Sequence, residues 1–441
     1  MRYLISCNRH GLILGCLLLF IRFIAYAEQP ERLLPIDELF RLGTENSLRL
    51  KASRIQETIS DDQRKTALTN RLPHIQVSAR AGVLGQPIVF QRGLSHPAYP
   101  EVPDWSQNYG IELTQPIYQG GKITYAIRKA NLQKEIASLS TSDDQAEIKL
   151  LLLGQYMNLF SYYKQRDVLA RNIEESERRL KDIIRMRKEG LVTRNDEIRS
   201  ELQLTNDRLA FQEAGNSIAI TSQQLDILLG LDESLLITPD TALLYTTTAL
   251  QDYETYVHEA YDNFPGMRMA RRNIQLAEYD IKLAGADYLP SVSLYAGNTL
   301  ARPLSSTLAD LYNHNWNIGL SLTYNLSSFY QNKHRVHEAR QVAQLRRNSE
   351  EQLEQDIRIN VKSAYLRHKE ALDRVEALKL SVRQAEENYR IVQNRYLNQL
   401  SILTDLLDAS SVRLEADLQL TVARTQTLYT YYELRRACGD L

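Results

Sequence analysis

Two carboxylates stand three positions apart in the apolar run Ile402-Leu403-Thr404-Asp405-Leu406-Leu407-Asp408-Ala409. On a helix, side chains at this spacing share a face, so Asp405 and Asp408 can act together on whatever lies opposite. Taken alone, they fit the first turns of a helix with Ser401 as N-cap, where the helix dipole favours acids by roughly 0.3–1 kcal/mol. Around a shared axis of several copies, the same acids would form rings that repel one another and draw in cations.

No combination of residues nominates an enzyme. His334 and His337 have a spacing that can hold a metal ion, but Lys333, Arg335 and Glu338 surround them, which favours a solvated helix face. The sequence contains no G-x-S-x-G, no phosphate-binding glycine loop and no paired C-x-x-C. We therefore expect no catalytic residue, no metal and no cofactor.

The first 27 residues predict an export signal. The chain opens with the basic residues Arg2 and Arg9, and an apolar run follows them. Ala25-Tyr26-Ala27 is a small-residue cleavage pattern. Lipoprotein processing before Cys16 is the alternative, although Leu14 stands where a smaller residue is usual. Once residues 1–27 are removed, Cys438 is the only thiol left, so no internal disulfide can form.

Composition removes some classes of function and leaves a membrane location open. The 53 basic and 54 acidic side chains give a formal net charge of -1, which provides no bulk charge for nucleic-acid binding. Beyond Ala27 no apolar stretch approaches the roughly 20 residues of a membrane-crossing helix. Barrel strands, however, alternate in polarity and leave little trace in averaged hydropathy. The 25 tyrosines against 8 phenylalanines suit wet apolar boundaries, including membrane interfaces.

Alternating polarity and long apolar seams predict strands followed by very long helices. The predicted strands cover about 73–83 and 108–117, then 290–300 and 315–326, with loops at 84–107 and 299–313. The predicted long helices cover about 122–189 and 195–230, then 331–398 and 402–437. The first of them lacks proline and at ~1.5 Å per residue could form a rod on the order of 100 Å. The seam from Val375 to Tyr396 steps by three and four, as in a coiled coil.

The order of these elements predicts an internal duplication. Gly190 and Gln399, which interrupt the long helices, are 209 positions apart (399 − 190), as are Ile117 and Leu326 (326 − 117) at the strand ends. We expect a first repeat at 28–240 and a second at 241–441, each with a β-hairpin and a long helical hairpin.

Two hairpins cannot close a barrel by themselves. In lipid, an open sheet edge leaves backbone groups unsatisfied at several kcal/mol each, so the chain would have to associate. Three copies would supply twelve strands, within the range of outer-membrane barrels. The residues alone also allow a β-sandwich tip on a coiled-coil stalk, because Trp316 and Tyr109 can belong either to an aromatic girdle or to a core.

From about Pro35 to Leu441 the sequence resembles the TolC-like outer-membrane efflux proteins. Three segments carry the resemblance through their order and spacing: Leu113-Thr114-Gln115-Pro116-Ile117-Tyr118-Gln119-Gly120-Gly121, Gly190-Leu191-Val192-Thr193 and Asp405-Leu406-Leu407-Asp408-Ala409. Pro116, Gly120 and Gly121 suit an elbow where a tilted strand turns into a helix. The second half departs from this pattern, since Thr323-Tyr324-Asn325-Leu326-Ser327-Ser328 contains neither Pro nor Gly.

The resemblance implies a role for each of these segments. Asp405 and Asp408 would line a periplasmic pore constriction, and Tyr396 and Asp196 would be gate contacts that open with it. A basic residue expected at Ser401 is missing, which removes one closing ion pair. The turns Gly190-Leu191-Val192-Thr193 and Gln399-Leu400-Ser401-Ile402 would dock a periplasmic adaptor. Gln399 replaces a glycine there, which predicts only one standard docking turn.

By resemblance, the chain is expected to be mainly α with transmembrane β structure. A homotrimer would form a 12-stranded β-barrel continued by a coiled-coil α-barrel. It would be the passive exit duct of a multipartite efflux or type I secretion system, served by an adaptor and an inner-membrane pump. Its place would be the outer membrane of a Gram-negative bacterium, extending into the periplasm. The alternative is a coiled-coil surface protein or adhesin without a channel.

Overall fold

A computed structural model describes residues 31–240, 250–303 and 309–441 of the chain, except for the side chain of Gln91. The predicted signal peptide at 1–27, including Cys16, lies outside the described residues.

The described residues form a mainly helical fold with three small sheets. The strands are β1 (Glu31–Leu34), β2 (His74–Val83), β3 (Val89–Arg92), β4 (Ser95–Ala98), β5 (Trp105–Gln119), β6 (Leu236–Pro239), β7 (Ser291–Arg302) and β8 (Asn313–Thr323). The helices are α1 (Ile36–Asn46), α2 (Leu48–Thr69), α3 (Lys122–Lys188), α4 (Arg194–Leu229), α5 (Tyr253–Asn263), α6 (Pro265–Gly285), α7 (Ser328–Leu397) and α8 (Leu403–Ala437). Among the helices of this described part, none is both long and apolar enough to cross a membrane.

The main sheet has four antiparallel strands in the order β2-β5-β7-β8. Because side chains alternate along each strand, paired positions place the apolar residues of all four strands on one face. Val77 pairs with Ile111, and Leu294 pairs with Leu320. On this face six aliphatic side chains have exposures of 54% to 74%: Ile75, Val77, Ile111, Ile318, Leu320 and Leu322. The opposite face carries polar and small residues, including Ser78, Glu112 and Asn317.

Two minor sheets accompany the main one. β1 pairs in parallel with β6, and the buried Tyr156 side chain ties their ends together. Its hydroxyl donates to the carbonyl of Leu34 (2.5 Å) and accepts from the amide of Asp240 (2.7 Å).

The segment 84–107, predicted as a loop, contains the additional hairpin β3–β4 and the first residues of β5. Its β-branched and aromatic Val89 and Phe90 favour such pairing.

The contacts divide the chain into two compact units. One comprises the described residues of Met1–Ser47, Ile148–Ala249 and Arg367–Tyr432, and the other comprises Leu48–Glu147, the described residues of Leu250–Leu366, and Glu433–Leu441. Each unit takes segments from both predicted repeats. The second unit contains the main sheet and a buried core that includes Val257, Met267, Val361 and Leu434. The division into repeats at 28–240 and 241–441 stays a prediction.

The two strand-to-helix elbows are built differently. Gly120 and Gly121 have φ values of 61° and 87°, and a β-bulge lies between Pro116 and Tyr118. At the second elbow β8 ends at Thr323 rather than at the predicted 326, because the chain turns at Asn325, three residues before α7 begins. The Asn325 Oδ1 accepts from the amide and hydroxyl of Ser327, at 3.2 and 2.7 Å. A turn closed by an asparagine side chain thus takes the place of the glycine pair.

Candidate pore and docking site

Two turns in the first unit join the long helices in pairs, and their backbones are alike. In the α3–α4 turn, the amide of Leu191 donates to the Met186 carbonyl at 2.9 Å. In the α7–α8 turn, the amide of Leu400 donates to the Arg395 carbonyl at 2.8 Å. Gly190 and Gln399 each adopt the left-handed conformation of a Schellman cap, with φ of 77° and 60°. The expectation of only one standard turn is therefore wrong for the backbone, because Gln399 adopts the conformation that glycine would supply.

Both turns present apolar side chains to the surface. Leu191, Leu400 and Ile402 are 49%, 67% and 66% exposed. Val192 packs instead against the buried cluster beneath the turns. Exposed apolar residues on a tight turn make a suitable docking point for a partner.

The helix starts after these turns are capped in different ways. Thr193 forms a capping box with Asp196: the Thr193 hydroxyl accepts from the Asp196 amide (3.2 Å), and the Asp196 carboxylate accepts from the Thr193 amide (2.8 Å). Ser401 is not the N-cap of α8, since the helix begins at Leu403. Its hydroxyl donates instead to the carboxylate of Asp405 at 2.6 Å.

Asp405 and Asp408 lie on the exposed face of the first turns of α8. Leu403, Leu406 and Ala409, which point the opposite way, are buried. They form one cluster with Ile183 of α3 and with Tyr389 and Tyr396 of α7. This packing fixes the rotation of α8 about its axis, so both carboxylates face away from their own unit.

Tyr396 and Asp196 approach each other without a direct hydrogen bond. Tyr396 is 6% exposed and its hydroxyl has no partner, while the Asp196 carboxylate is engaged by Thr193. Burial raises the pKa of the Tyr396 hydroxyl, and the negative charge of Asp196 raises it further. The expected gate contact is therefore only electrostatic in this conformation.

Charged residues that the sequence analysis did not single out cross-link the helix ends. Glu197, which is 5% exposed, forms ion pairs with Arg187 (2.6 Å) and Arg194 (2.7 Å). Arg199 of α4 donates to the hydroxyl of Thr404 of α8 at 2.9 Å. The spacing of Arg194 and Glu197 could have indicated their pairing. The Arg199–Thr404 contact joins residues 205 positions apart and has no local sequence signal.

The first elbow lies in the second unit, where its glycines are sterically required. A Cβ on Gly120 would lie 2.5 Å from the Ala286 carbonyl oxygen, and one on Gly121 would lie 2.9 Å from the Tyr125 ring. Asp287, beside this contact, forms ion pairs with Lys122 at the start of α3 and with Arg335 of α7 (3.1 Å to Arg335). Close backbone approach and positive φ together explain the Gly-Gly pair.

No metal centre is found in the described ranges, where three or more His, Cys, Asp or Glu side chains nowhere cluster suitably for an ion. His334 and His337 are both exposed on α7.

The arrangement at the turns offers carboxylates, exposed apolar groups and helix caps, which can line a passage or bind a partner.

The fold is that of channel-forming outer-membrane proteins. The outer-membrane channel OprN is 17% identical, with a TM-score of 0.75 over 92% of this chain and 90% of that chain. VceC of Vibrio cholerae is 16% identical, with a TM-score of 0.73 over 92% and 96% of the two chains. The open-state MtrE channel of Neisseria gonorrhoeae is 17% identical, with a TM-score of 0.70 over 92% and 89%.

Sequence comparison matches the second half of the chain to one family. Residues 256–440 match the family described as outer membrane efflux protein. No functionally curated protein shows significant sequence similarity to the chain. The chain therefore resembles the TolC-like outer-membrane efflux proteins in the sequence of its second half and in fold over 92% of its length. The matching family and the structural neighbours are outer-membrane channels rather than enzymes.

Proposed function

We propose that three copies of this chain form the outer-membrane exit duct of a multipartite efflux system. The observation that carries the proposal is the four-stranded sheet with an exposed apolar face and two unpaired edges. A water-soluble protein would cover such a face, whereas a membrane protein turns it to lipid.

The strand directions support closure between copies. Successive strands of the order β2-β5-β7-β8 are antiparallel, so β8 of one copy and β2 of the next would also run antiparallel. Pairing these edges satisfies the backbone groups that lipid would leave unsatisfied. Three copies give a twelve-stranded β-barrel, and the long helices of both repeats would continue it as a coiled-coil α-barrel in the periplasm.

The acidic pair on α8 would form the pore constriction of this duct. Asp405 and Asp408 are exposed on one helix face, whose opposite face is buried in their own unit. In a trimer each would contribute a ring of three carboxylates, at heights about 4.5 Å apart. Tyr396 and Asp196 lie behind these rings as gate contacts. With Ser401 in place of a basic residue, the Arg199–Thr404 hydrogen bond is the contact that would tie α4 to α8 in the resting state.

The turns would receive a periplasmic adaptor. Gly190, Leu191, Val192 and Thr193 on one turn, and Leu400 and Ser401 on the other, share one backbone geometry and carry exposed leucines. The adaptor would connect the duct to an inner-membrane pump, which supplies the energy. The duct itself is passive, and a type I secretion system could use the same exit.

Single-channel recording in planar bilayers tests the constriction. Divalent cations added on the periplasmic side should block the wild-type current, and the double change Asp405→Ala and Asp408→Ala should weaken the block at least tenfold. Glu415→Ala provides the control, because Glu415 is an exposed acid on the same helix further from the turn. Unchanged block in the double variant would remove these acids from the constriction, and equal weakening by Glu415→Ala would show that the effect is not localised.

Membrane extraction tests the duct against a coiled-coil surface protein or adhesin. The duct should leave the outer membrane only in detergent and migrate on gels as a trimer that heat dissociates. A monomer released by plain buffer would contradict the proposal.

A further inference from the structure

A cavity in the first unit contains a buried arginine without an acidic partner. The cavity has a volume of about 460 Å³ and lies among α3, α7 and α8. Arg179 lines it and is 8% exposed, and its Nη1 has no hydrogen-bond partner. We refer to it below as the arginine cavity.

The guanidinium of Arg179 is fixed along one edge only. Its Nη2 donates to the hydroxyl of Ser176 at 2.8 Å, and that hydroxyl donates to the buried carboxylate of Asp207 at 2.7 Å. The serine therefore separates the two charges. Within the part of the chain that the structure describes, no carboxylate lies within ion-pair distance of Arg179. A buried guanidinium without a direct counter-charge is costly, which favours an anionic partner from outside the unit.

The other arginines of the cavity differ from Arg179 in this respect. Arg178 pairs with Glu174, Arg390 pairs with Glu387 at 2.7 Å, and Arg413 pairs with Glu175. Arg413 also lies over the Tyr389 ring, with 4.1 Å from its guanidinium carbon to the ring centroid. These three are engaged and Arg179 is available.

A second buried donor lines the same cavity. The Tyr396 hydroxyl has no partner, and its side chain is 94% buried (6% exposed). A hydroxyl and a guanidinium N–H that both lack partners suit one acceptor with several oxygen atoms.

We propose that the arginine cavity binds a small oxyanion, with Arg179 and Tyr396 as its ligands. The class includes inorganic phosphate, sulfate and small carboxylates, whose oxygens accept charge-assisted hydrogen bonds from arginine. Bound there, the anion joins α3 to α7 one layer behind the acidic pair on α8. The site goes beyond the proposed duct and does not depend on it, because both ligands belong to one chain.

Calorimetric titration of inorganic phosphate into the detergent-solubilised full chain tests the site. Ionic strength is held constant with sodium chloride, so that only a specific oxyanion gives saturable heat. We expect one phosphate per chain. Arg179→Gln should lower the affinity about 10- to 100-fold, since a hydrogen bond to a charged group carries that much discrimination. Tyr396→Phe should lower the affinity for phosphate by less, and Arg179→Lys should retain part of the affinity.

Arg178→Gln is the matched control, because Arg178 is the next residue on the helix, is exposed and already has an acidic partner. It should bind phosphate as the wild type does.

Absence of saturable phosphate binding by the wild type would overturn the proposal, as would equal losses of affinity in the Arg178 and Arg179 variants. If a neighbouring copy fills the cavity with its own carboxylate, phosphate will not bind and Arg179→Gln will lower the melting temperature of the trimer. That result also overturns the proposal. The titration measures binding to the purified chain and needs neither a membrane nor a current. Failure of the channel experiments would therefore not change the result expected here.

Discussion

Asp226 should make the stability of this protein depend on pH. It lies in the last turn of α4, is 0% exposed, and neither carboxylate oxygen has a hydrogen-bond partner. The negative end of the helix dipole is also at this position, which disfavours a carboxylate. Burial raises the pKa of Asp226 from 3.8 to about 6, Asp232 and Glu233 add to the rise, and Arg32 opposes it.

The magnitude follows from this difference in pKa. The rise from 3.8 to about 6 is roughly two pKa units, and at about 1.4 kcal/mol per unit it corresponds to about 3 kcal/mol. The folded state holds the proton more tightly than the unfolded state. The contribution of Asp226 to the free energy of unfolding is therefore highest below about pH 4. It falls between about pH 4 and pH 6 and stays low above that range.

Asp226→Asn removes the charge and keeps the shape. At pH 8 the variant should be more stable than the wild type by up to about 3 kcal/mol, and the advantage should shrink as the pH falls toward 4. Thermal unfolding followed by circular dichroism at pH 4, 5, 6, 7 and 8 measures the difference. A variant less stable than the wild type at pH 8 would show that the carboxylate is stabilised by a partner such as Arg32, which would refute the reasoning.

Asp232→Asn is the control of opposite sign. Asp232 is exposed, and hydrogen bonds from the amide (2.9 Å) and the hydroxyl (2.7 Å) of Ser234 hold its pKa below the usual value. Its substitution should lower stability at neutral pH and cost less as the pH falls. Parallel behaviour of the two variants would contradict the assignment of the effect to burial.

Two further predictions concern backbone conformation. Gln399→Gly should raise stability by about 0.5–1 kcal/mol, because the left-handed conformation costs a residue with a side chain roughly 1–2 kcal/mol. The greater freedom of glycine in the unfolded state offsets part of this gain. Gln384→Gly, within helix α7, is the control and should lower stability by about as much, so lower stability in both variants would contradict the prediction. Gly120→Ala should cost about 2 kcal/mol or more, since φ is 61° and the new Cβ would meet the Ala286 carbonyl at 2.5 Å. Gly85→Ala, with no atom within 4 Å of the new Cβ, is its control. The melting temperature of the purified protein measures all four, and equal values for the Gly120 and Gly85 variants would exclude the close contact.

Local sequence patterns are sufficient for the four strands of the main sheet and for the four long helices. Alternation such as Trp316, Ile318, Leu320 and Leu322 predicts strands because side chains leave a strand on alternate faces, whatever the rest of the chain does. The coiled-coil seam ending at Tyr396 and the proline-free segment from Lys122 predict long helices for an equally local reason. The extra hairpin β3–β4 was missed because its strands have four residues each, too few to show a period.

The tertiary structure decided what depends on neighbours distant in sequence. Gln399 takes a left-handed conformation although its own side chain disfavours it, because the turn must return the chain from α7 to α8. The burial of Asp226 and Arg179 without a direct counter-charge also follows from packing, since neither residue type is usually buried. The sequence alone determined that Asp405 and Asp408 share a helix face. Only the packing of Leu403, Leu406 and Ala409 onto α3 and α7 determined that this face is exposed, because burial of one side of a helix fixes the direction of the other.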